Sequence, residues 1–136
     1  MSYSYLPVHK ARTYCEDIFE RHGFSREECR CIVDVVLTAD LYGIESHGIQ
    51  RMIRYHNSLV RNLVDAEAKP KILFETPLSA VIEGARTMGQ TTASMAMNLA
   101  IRKAKAHGFG AVTVRNCNHY GIAGYYAKMA AKEDLL

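Results

Sequence analysis

The stretch from Gln90 to Leu136 most constrains the fold of this 136-residue chain. Gln90 to His107 is rich in Ala, Met, Leu and Lys, all good helix formers, and Gly108 follows as a stop. Phe109-Gly110-Ala111-Val112-Thr113-Val114 is then a candidate buried strand, Arg115 to Gly121 a loop, and Ile122 to about Lys132 another helix. Helix, strand, loop, helix is the grammar of an α/β fold. In such a fold the last helix feeds a further strand, so the end at Asp134-Leu135-Leu136 reads as an interruption.

The upstream half reads as helical. Ala11, Tyr14, Cys15, Ile18 and Phe19 share one face of a helix within Pro7–His22, which Gly23 stops. Ser25 and Glu28 form a capping box for a second helix, with Cys29, Ile32, Val33, Val36 and Leu37 on its buried face and Gly43 at its end. A third helix is expected from Ser46 to about Arg61, burying Ile49, Met52, Ile53, Val60 and, near its frayed end, Leu63. Lys71-Ile72-Leu73-Phe74-Glu75 and Ala80-Val81-Ile82-Glu83 are short β-like runs, a hairpin or two neighbouring strands. The chain divides into a helical region, 1–70, and the first part of an α/β core, 71–136.

Composition narrows the class. At 49% hydrophobic and 23% charged, the chain can bury enough apolar surface to fold as a globular domain. Its net charge of +3 is mild, and Arg102-Lys103-Ala104-Lys105 reads as the solvated face of a helix, which argues against a nucleic-acid partner. Met1 to Pro7 lacks the apolar core of a secretory signal, and no run approaches the roughly 20 apolar residues that span a bilayer. Cys15, Cys29, Cys31 and Cys117 have neither disulfide-framework nor zinc-knuckle spacing, so free thiols in a reducing cytosol are the natural reading.

Two segments carry candidate chemistry. Glu45-Ser46-His47-Gly48-Ile49-Gln50-Arg51 places a hydroxyl, an imidazole and a guanidinium where a helix is expected to begin. His47 and Arg51 at i, i+4 would share a face near a helix N-terminus, which favours anions and a neutral imidazole. The planar fork of Arg51 suits a carboxylate. Taken singly, Ser46 is an N-cap, His47 a surface or cap histidine, and Arg51 an ion-pair partner for Glu45. The second segment is Asn116-Cys117-Asn118-His119-Tyr120-Gly121, leaving the C-terminal end of a strand, where α/β folds gather ligands. Gly121 and Gly124 would let backbone N–H groups approach a ligand, and Asn116 and Asn118 are turn residues or polar ligands. Tyr125, Tyr126, Met88, Met95 and Met97 read as packing. Cys29 and Cys31 point to different faces and cannot chelate one metal. A Cys117–His119 nucleophile and base lacks an orienting third group. The histidines are too scattered for a zinc signature, and no GxGxxG or GxxxxGK[ST] phosphate loop is present.

Three ordered motifs together resemble the type 2 malate/L-lactate dehydrogenase family: Asp40-Leu41-Tyr42-Gly43-Ile44-Glu45-Ser46-His47-Gly48-Ile49-Gln50-Arg51 with Tyr55; Ile82-Glu83-Gly84-Ala85-Arg86-Thr87-Met88-Gly89-Gln90 with Ala96-Met97; and Asn118-His119-Tyr120-Gly121-Ile122-Ala123-Gly124-Tyr125-Tyr126-Ala127. That family includes ureidoglycolate, sulfolactate and diketogulonate oxidoreductases and piperideine-carboxylate reductases. The resemblance implies a non-Rossmann α/β fold, in keeping with the missing glycine fingerprint, and hydride transfer between NAD or NADP and a small 2-oxo/2-hydroxy acid or imine. It implies His47 as acid/base, Ser46 beside it in a relay, Arg51 on the substrate carboxylate, and His119 as a second catalytic or cofactor-contacting histidine. Tyr120, Gly121, Ile122 and Ala123 would run with His119 beside the nicotinamide. It further implies a homodimer with sites near the interface; the scattered histidines give no reason to expect a metal. Family members are commonly more than twice as long, so the chain corresponds to their N-terminal portion. A relay aspartate and most nucleotide contacts lie beyond it, and weak or no turnover is expected from this chain alone. The alternative is a non-catalytic dimerising fragment of such an enzyme.

Overall fold

A computed structural model describes residues 5–136; the reading of the Met1–Pro7 start falls partly on residues outside that range. The elements run α1 (Val8–Arg21), α2 (Arg26–Leu41), two 3₁₀ turns (Glu45–His47 and Ile49–Arg51), α3 (Met52–Val60), β1 (Lys71–Glu75), β2 (Ser79–Glu83), α4 (Gly89–His107), β3 (Ala111–Arg115) and α5 (Ala123–Ala131). The three strands form one mixed sheet in the order β1-β2-β3, with β1 antiparallel and β3 parallel to β2. The two β-like runs are thus a hairpin, with a bulge between Ile72 and Phe74.

The predicted caps form. Ser25 Oγ accepts from the Glu28 N–H, and the Glu28 carboxylate accepts from the Ser25 N–H at 3.0 Å. Gly108 closes α4 in the left-handed conformation, φ 80°. The first helix buries Ala11, Cys15 and Phe19, but Tyr14, expected on that face, is exposed.

Helix α2 departs from a single buried face. Cys29, Ile32, Val33, Val36 and Leu37 join α1, α3 and Met88 in one cluster, as their spacing predicts. Val35 and Ala39, on the other side, pack against Ile122 and Tyr126, with Ala93 and Met97 of α4 alongside. The helix therefore lies between two layers, and that position fixes α5 and the loop before it. A third cluster seats Ala96 and Leu99 of α4 on Ala80 and Ile82 of β2. Strand β3, expected to be buried, alternates half-buried and exposed residues at the sheet edge.

The charged stretch on α4 is not uniformly solvated. Lys103 is 7% exposed, and its ammonium donates to Glu75 Oε1 at 2.7 Å and to the Thr76 carbonyl at 2.6 Å. The aliphatic stem crosses the packed face of α4 and the charge emerges at the hairpin turn. All four cysteines are free thiols, and burial pushes Cys15 and Cys29 up to about 11. Among the described residues no helix is long and apolar enough to cross a membrane.

Candidate active site

The segment from Glu45 to Arg61 is not one helix. Two 3₁₀ turns meet at Gly48, and α3 begins only at Met52. The reason lies in Asp40, near the end of α2. Its Oδ2 accepts from the Ile49 N–H at 2.7 Å, and its Oδ1 occupies the place a Gly48 Cβ would take, 1.7 Å away. Only glycine lets the chain pass this close to the carboxylate. The break rotates the downstream helix, so Met52, Tyr55 and Leu59 face the core. Ile53, Val60 and Leu63, expected there, are exposed, and Ile49 is partly buried against the core.

Ser46 is consequently not an N-cap. Its hydroxyl lies 2.9 Å from His47 Nδ1, so the two residues form a hydroxyl–imidazole pair on an exposed turn. His47 and Arg51 do not stack along an α-helical face. Arg51 curls back, its Nε donating to the Ser46 carbonyl at 2.6 Å, and it forms no ion pair with Glu45. Gln50 takes the Glu45 carbonyl instead. The terminal nitrogens of Arg51 have no partner among the described residues, which leaves that end of the guanidinium available to an anion.

The two candidate segments meet. The His47 and His119 rings are 5.3 Å apart between centroids and tilted by 32°. His119 also touches Tyr55 of α3, whose hydroxyl lies 3.0 Å from His119 Nδ1. Gln90, at the start of α4 and fully buried, donates from Nε2 to the Tyr55 hydroxyl at 2.9 Å. Burial first, then the positive charge of Arg51 and the neighbouring His47 and Arg54, hold the His119 imidazole below the ordinary histidine range. Burial raises the Tyr55 phenol, outweighing the Gln90 bond and the charges of Arg51 and Arg54. A neutral histidine and a protonated tyrosine thus stand side by side at neutral pH.

The loop that carries His119 is built by side-chain clamps. Asn116 adopts φ 50° and donates to Glu83 Oε1 at 2.6 Å. Asn118 Nδ2 donates to the carbonyls of Arg86 at 2.6 Å and Thr87 at 3.2 Å. Both asparagines thus use their amide N–H groups to hold the loop, the turn role the sequence allows. Gly89 lets the loop lie on the start of α4, since a Cβ there would sit 2.2 Å from the Asn118 carbonyl oxygen. Gly121 has φ 87°, and its absent side chain makes room for Val35 of α2; around Gly124 there is open space. The Ile122 side chain is buried against α2, while Ala123 is exposed.

Beside His119 and Tyr120 runs a groove of about 610 Å³, walled by Ala93, Met97, Val114 and Tyr126 among others. Tyr126 packs, as expected, and donates from its hydroxyl to the Tyr120 carbonyl at 2.5 Å. Cys117 donates its thiol to the Asn118 carbonyl at 3.2 Å, and desolvation of the sulfur pushes it up although the residue as a whole is exposed. With no bond to His119 it is not an activated nucleophile. Among the described residues no group of His, Cys, Asp and Glu is arranged to hold a metal.

The residues that sequence reasoning missed are Tyr55 and Gln90 as His119's supports, and Asp40 as the clamp on the Ser46–Arg51 turn. All three lie within the quoted motifs but carried no role. A tyrosine at helical spacing reads as core, and a glutamine at a helix start reads as surface.

Comparison with known proteins agrees with this architecture. The family model described as malate/L-lactate dehydrogenase matches residues 6–136. A malate dehydrogenase of Pyrococcus horikoshii is 38% identical over 135 residues, covering 99% of this chain and 38% of its own length. An L-sulfolactate dehydrogenase of Methanocaldococcus jannaschii is 41% identical over 120 residues, covering 88% of this chain and 35% of its own. The solved structure of the Pyrococcus horikoshii OT3 malate dehydrogenase superposes with a TM-score of 0.93 at 40% identity, over 96% of this chain and 38% of that one. The chain therefore spans less than two fifths of the length of each of these relatives. With its mixed sheet, its clamped His119 loop and the match along nearly its whole length, the chain belongs to the malate/L-lactate dehydrogenase family.

Proposed function

We propose that this chain supplies the substrate side of an NAD- or NADP-dependent oxidoreductase acting between a small 2-oxo acid and the corresponding 2-hydroxy acid. The observation that carries the reading is the meeting of His47 and Arg51 with His119, which itself lines an apolar groove. The relatives' names, malate and L-sulfolactate dehydrogenase, support a hydroxy-acid substrate.

Arg51 binds the carboxylate through the terminal nitrogens its bond to Ser46 leaves over. His47 gives its proton to the carbonyl oxygen in reduction and takes it back in oxidation. Ser46, bonded to His47 Nδ1, passes charge from the ring toward solvent, since it is exposed and its hydroxyl both donates and accepts. His119, whose ring lies 5.3 Å from that of His47, would stand beside the same substrate. Positioning contributes much of the rate, and the proton transfer on the order of 10²–10⁴-fold.

The groove fits a nicotinamide: its walls are largely apolar, and the paired Tyr120 and Tyr126 rings and His119 are among them. His119, Tyr120, Gly121, Ile122 and Ala123 would hold that ring, the exposed backbone at Ala123 and the Tyr120 ring doing so directly and the buried Ile122 by fixing the loop on α2. When bound, the nicotinamide supplies or accepts the hydride. A division into 1–70 and 71–136, a homodimer and a cytoplasmic location complete the proposal, as does weak or absent turnover by this chain alone.

The test has two parts. NADH and NADPH oxidation against a panel of 2-oxo acids, in the protein that contains this chain, should fall by at least about a hundredfold in His47→Ala. Titration with oxamate should shift His47, Arg51 and His119 signals, with affinity reduced in Arg51→Lys because lysine lacks the fork. Normal rates in His47→Ala, or unchanged affinity in Arg51→Lys, would refute these roles.

A further inference from the structure

Two groups converge on the same nitrogen of His119. The Gly121 backbone N–H reaches Nδ1 at 3.3 Å, and the Tyr55 hydroxyl lies 3.0 Å from it. A backbone N–H can only donate, so Nδ1 must accept. The proton of the neutral ring then resides on Nε2. Tyr55 in turn donates to Nδ1, which leaves its own oxygen free to accept, and Gln90 Nε2 supplies that donor at 2.9 Å.

The opposite arrangement is self-defeating. Were Gln90 turned to present Oε1, Tyr55 would donate to it and accept from a protonated His119 Nδ1. That Nδ1–H would then point at the Gly121 N–H, donor against donor. The chosen orientation has its own cost: Gln90 Oε1, in a fully buried residue, has no partner among the described residues. Tyr55 is also buried, so solvent does not readily replace either bond. An amide held with one end unsatisfied, while its other end feeds a histidine, is explained by the demand at the histidine.

We propose that Tyr55 and Gln90 are positioning residues which, with the Gly121 N–H, lock His119 as the neutral Nε2–H tautomer. His119 thereby meets substrate or cofactor as a hydrogen-bond donor and not as a base. His47 differs: its Nδ1 faces a serine hydroxyl that serves either tautomer, so its ring is free to exchange a proton. The inference rests on placing His119 in the active site, but its test does not need turnover.

The test is the tautomer itself, read by two-bond ¹H–¹⁵N spectra of the full chain with ¹⁵N-labelled histidine at pH 7.5–8. His119 should show an unprotonated, hydrogen-bonded Nδ1 and a protonated Nε2, in at least about tenfold excess over the other form. Gln90→Glu presents a carboxylate that takes the Tyr55 proton, and should convert His119 to the Nδ1–H tautomer and raise its apparent pKa. Tyr55→Phe keeps the ring packing without the donor and should bring a detectable Nδ1–H population. A wild-type His119 protonated on Nδ1, or a single Nε2–H form unchanged in both variants, overturns the lock. Should Gln90→Glu not fold, the wild-type tautomer and the Tyr55→Phe ratio still decide. An intact lock in a protein that neither binds oxamate nor turns over 2-oxo acids would count against the proposed function and leave the lock standing.

Discussion

Replacing Gly121 by alanine should be among the most damaging single-methyl changes in the chain, for two separable reasons. The first is backbone: φ is 87°, in a region L-residues avoid at a cost of about 1–2 kcal/mol. The second is space: the new Cβ would lie 2.4 Å from Val35 Cγ1, against about 3.5–4.0 Å for carbons at rest. Val35 of α2 is fully buried against Ile122 and Tyr126 and cannot swing out, so overpacking adds about 1–3 kcal/mol. The sum, about 2–5 kcal/mol, is a large share of the roughly 5–15 kcal/mol that holds a domain together. Urea unfolding followed by circular dichroism measures it. Val35→Ala alone should cost about 1.6 kcal/mol for the buried carbons lost, plus a cavity. In the double variant the clash disappears and the backbone strain remains, so the two changes should couple favourably by about 1–3 kcal/mol. Gly124→Ala is the internal control: no heavy atom lies within 4 Å of its Cβ and its φ is not positive, so it should stabilise α5 by about 0.5–1 kcal/mol. A Gly121→Ala chain within about 0.5 kcal/mol of wild type, or strict additivity with Val35→Ala, would refute the reasoning.

Three further outcomes are expected. Gly48→Ala forces Asp40 away from the Ile49 N–H and should cost about 1–3 kcal/mol in thermal unfolding while weakening oxamate binding, since His47 and Arg51 ride on that turn; unchanged values of both would dismiss the clamp. Lys103→Ala should destabilise by about 1–3 kcal/mol and Lys103→Met by less, because the stem packs while Glu75, 45% exposed, can be hydrated when left alone; equal losses in urea unfolding would locate the effect in the charge. His22 Nε2 and His56 Nδ1 share one hydrogen bond at 3.0 Å, and burial followed by His56 holds His22 below its usual value. The unfolded chain therefore binds the proton first, so this contribution is present above about pH 6.5 and is lost as pH falls through the folded value. The urea midpoint should drop between pH 7.5 and 5.5, and His22→Gln should shrink that drop; the same drop in His22→Gln would assign it elsewhere, His119 having the same sign.

Much of the helical framework was legible because local chemistry decided it. The Ser25–Glu28 box and the glycines at 23, 43 and 108 act within a few residues of themselves, and the structure uses each where the sequence puts it. Readings failed where a distant residue intervened. Periodicity carried the third helix back to Ser46, but Asp40 of α2 holds the Ile49 N–H and breaks it at Gly48, which turns Ile53, Val60 and Leu63 outward. Lys103 looked solvated because a helix surface gives no sign of a hairpin carbonyl waiting at Thr76. Val35 and Ala39 fell outside the single face drawn for α2 because nothing local announces a second layer.

The site divides along the same line. The groups proposed to react, Ser46, His47, Arg51 and His119, stand out in the sequence because their chemistry is rare. What orients them does not, because orientation is made from ordinary residues brought together by topology. α2 packs on α3 through one set of residues and on Ile122, just after the His119 loop, through another. Tyr55 reaches His119 only because the break at Gly48 rotates α3 so that Tyr55, and not Ile53, faces inward. The His119 loop lies beside Gln90 because Gly89 lets it settle on the start of α4. The glycines and Asp40 therefore act on the proposed site at one remove: they set the rotation of a helix and the height of a loop, and these in turn determine which nitrogen of His119 meets a proton donor.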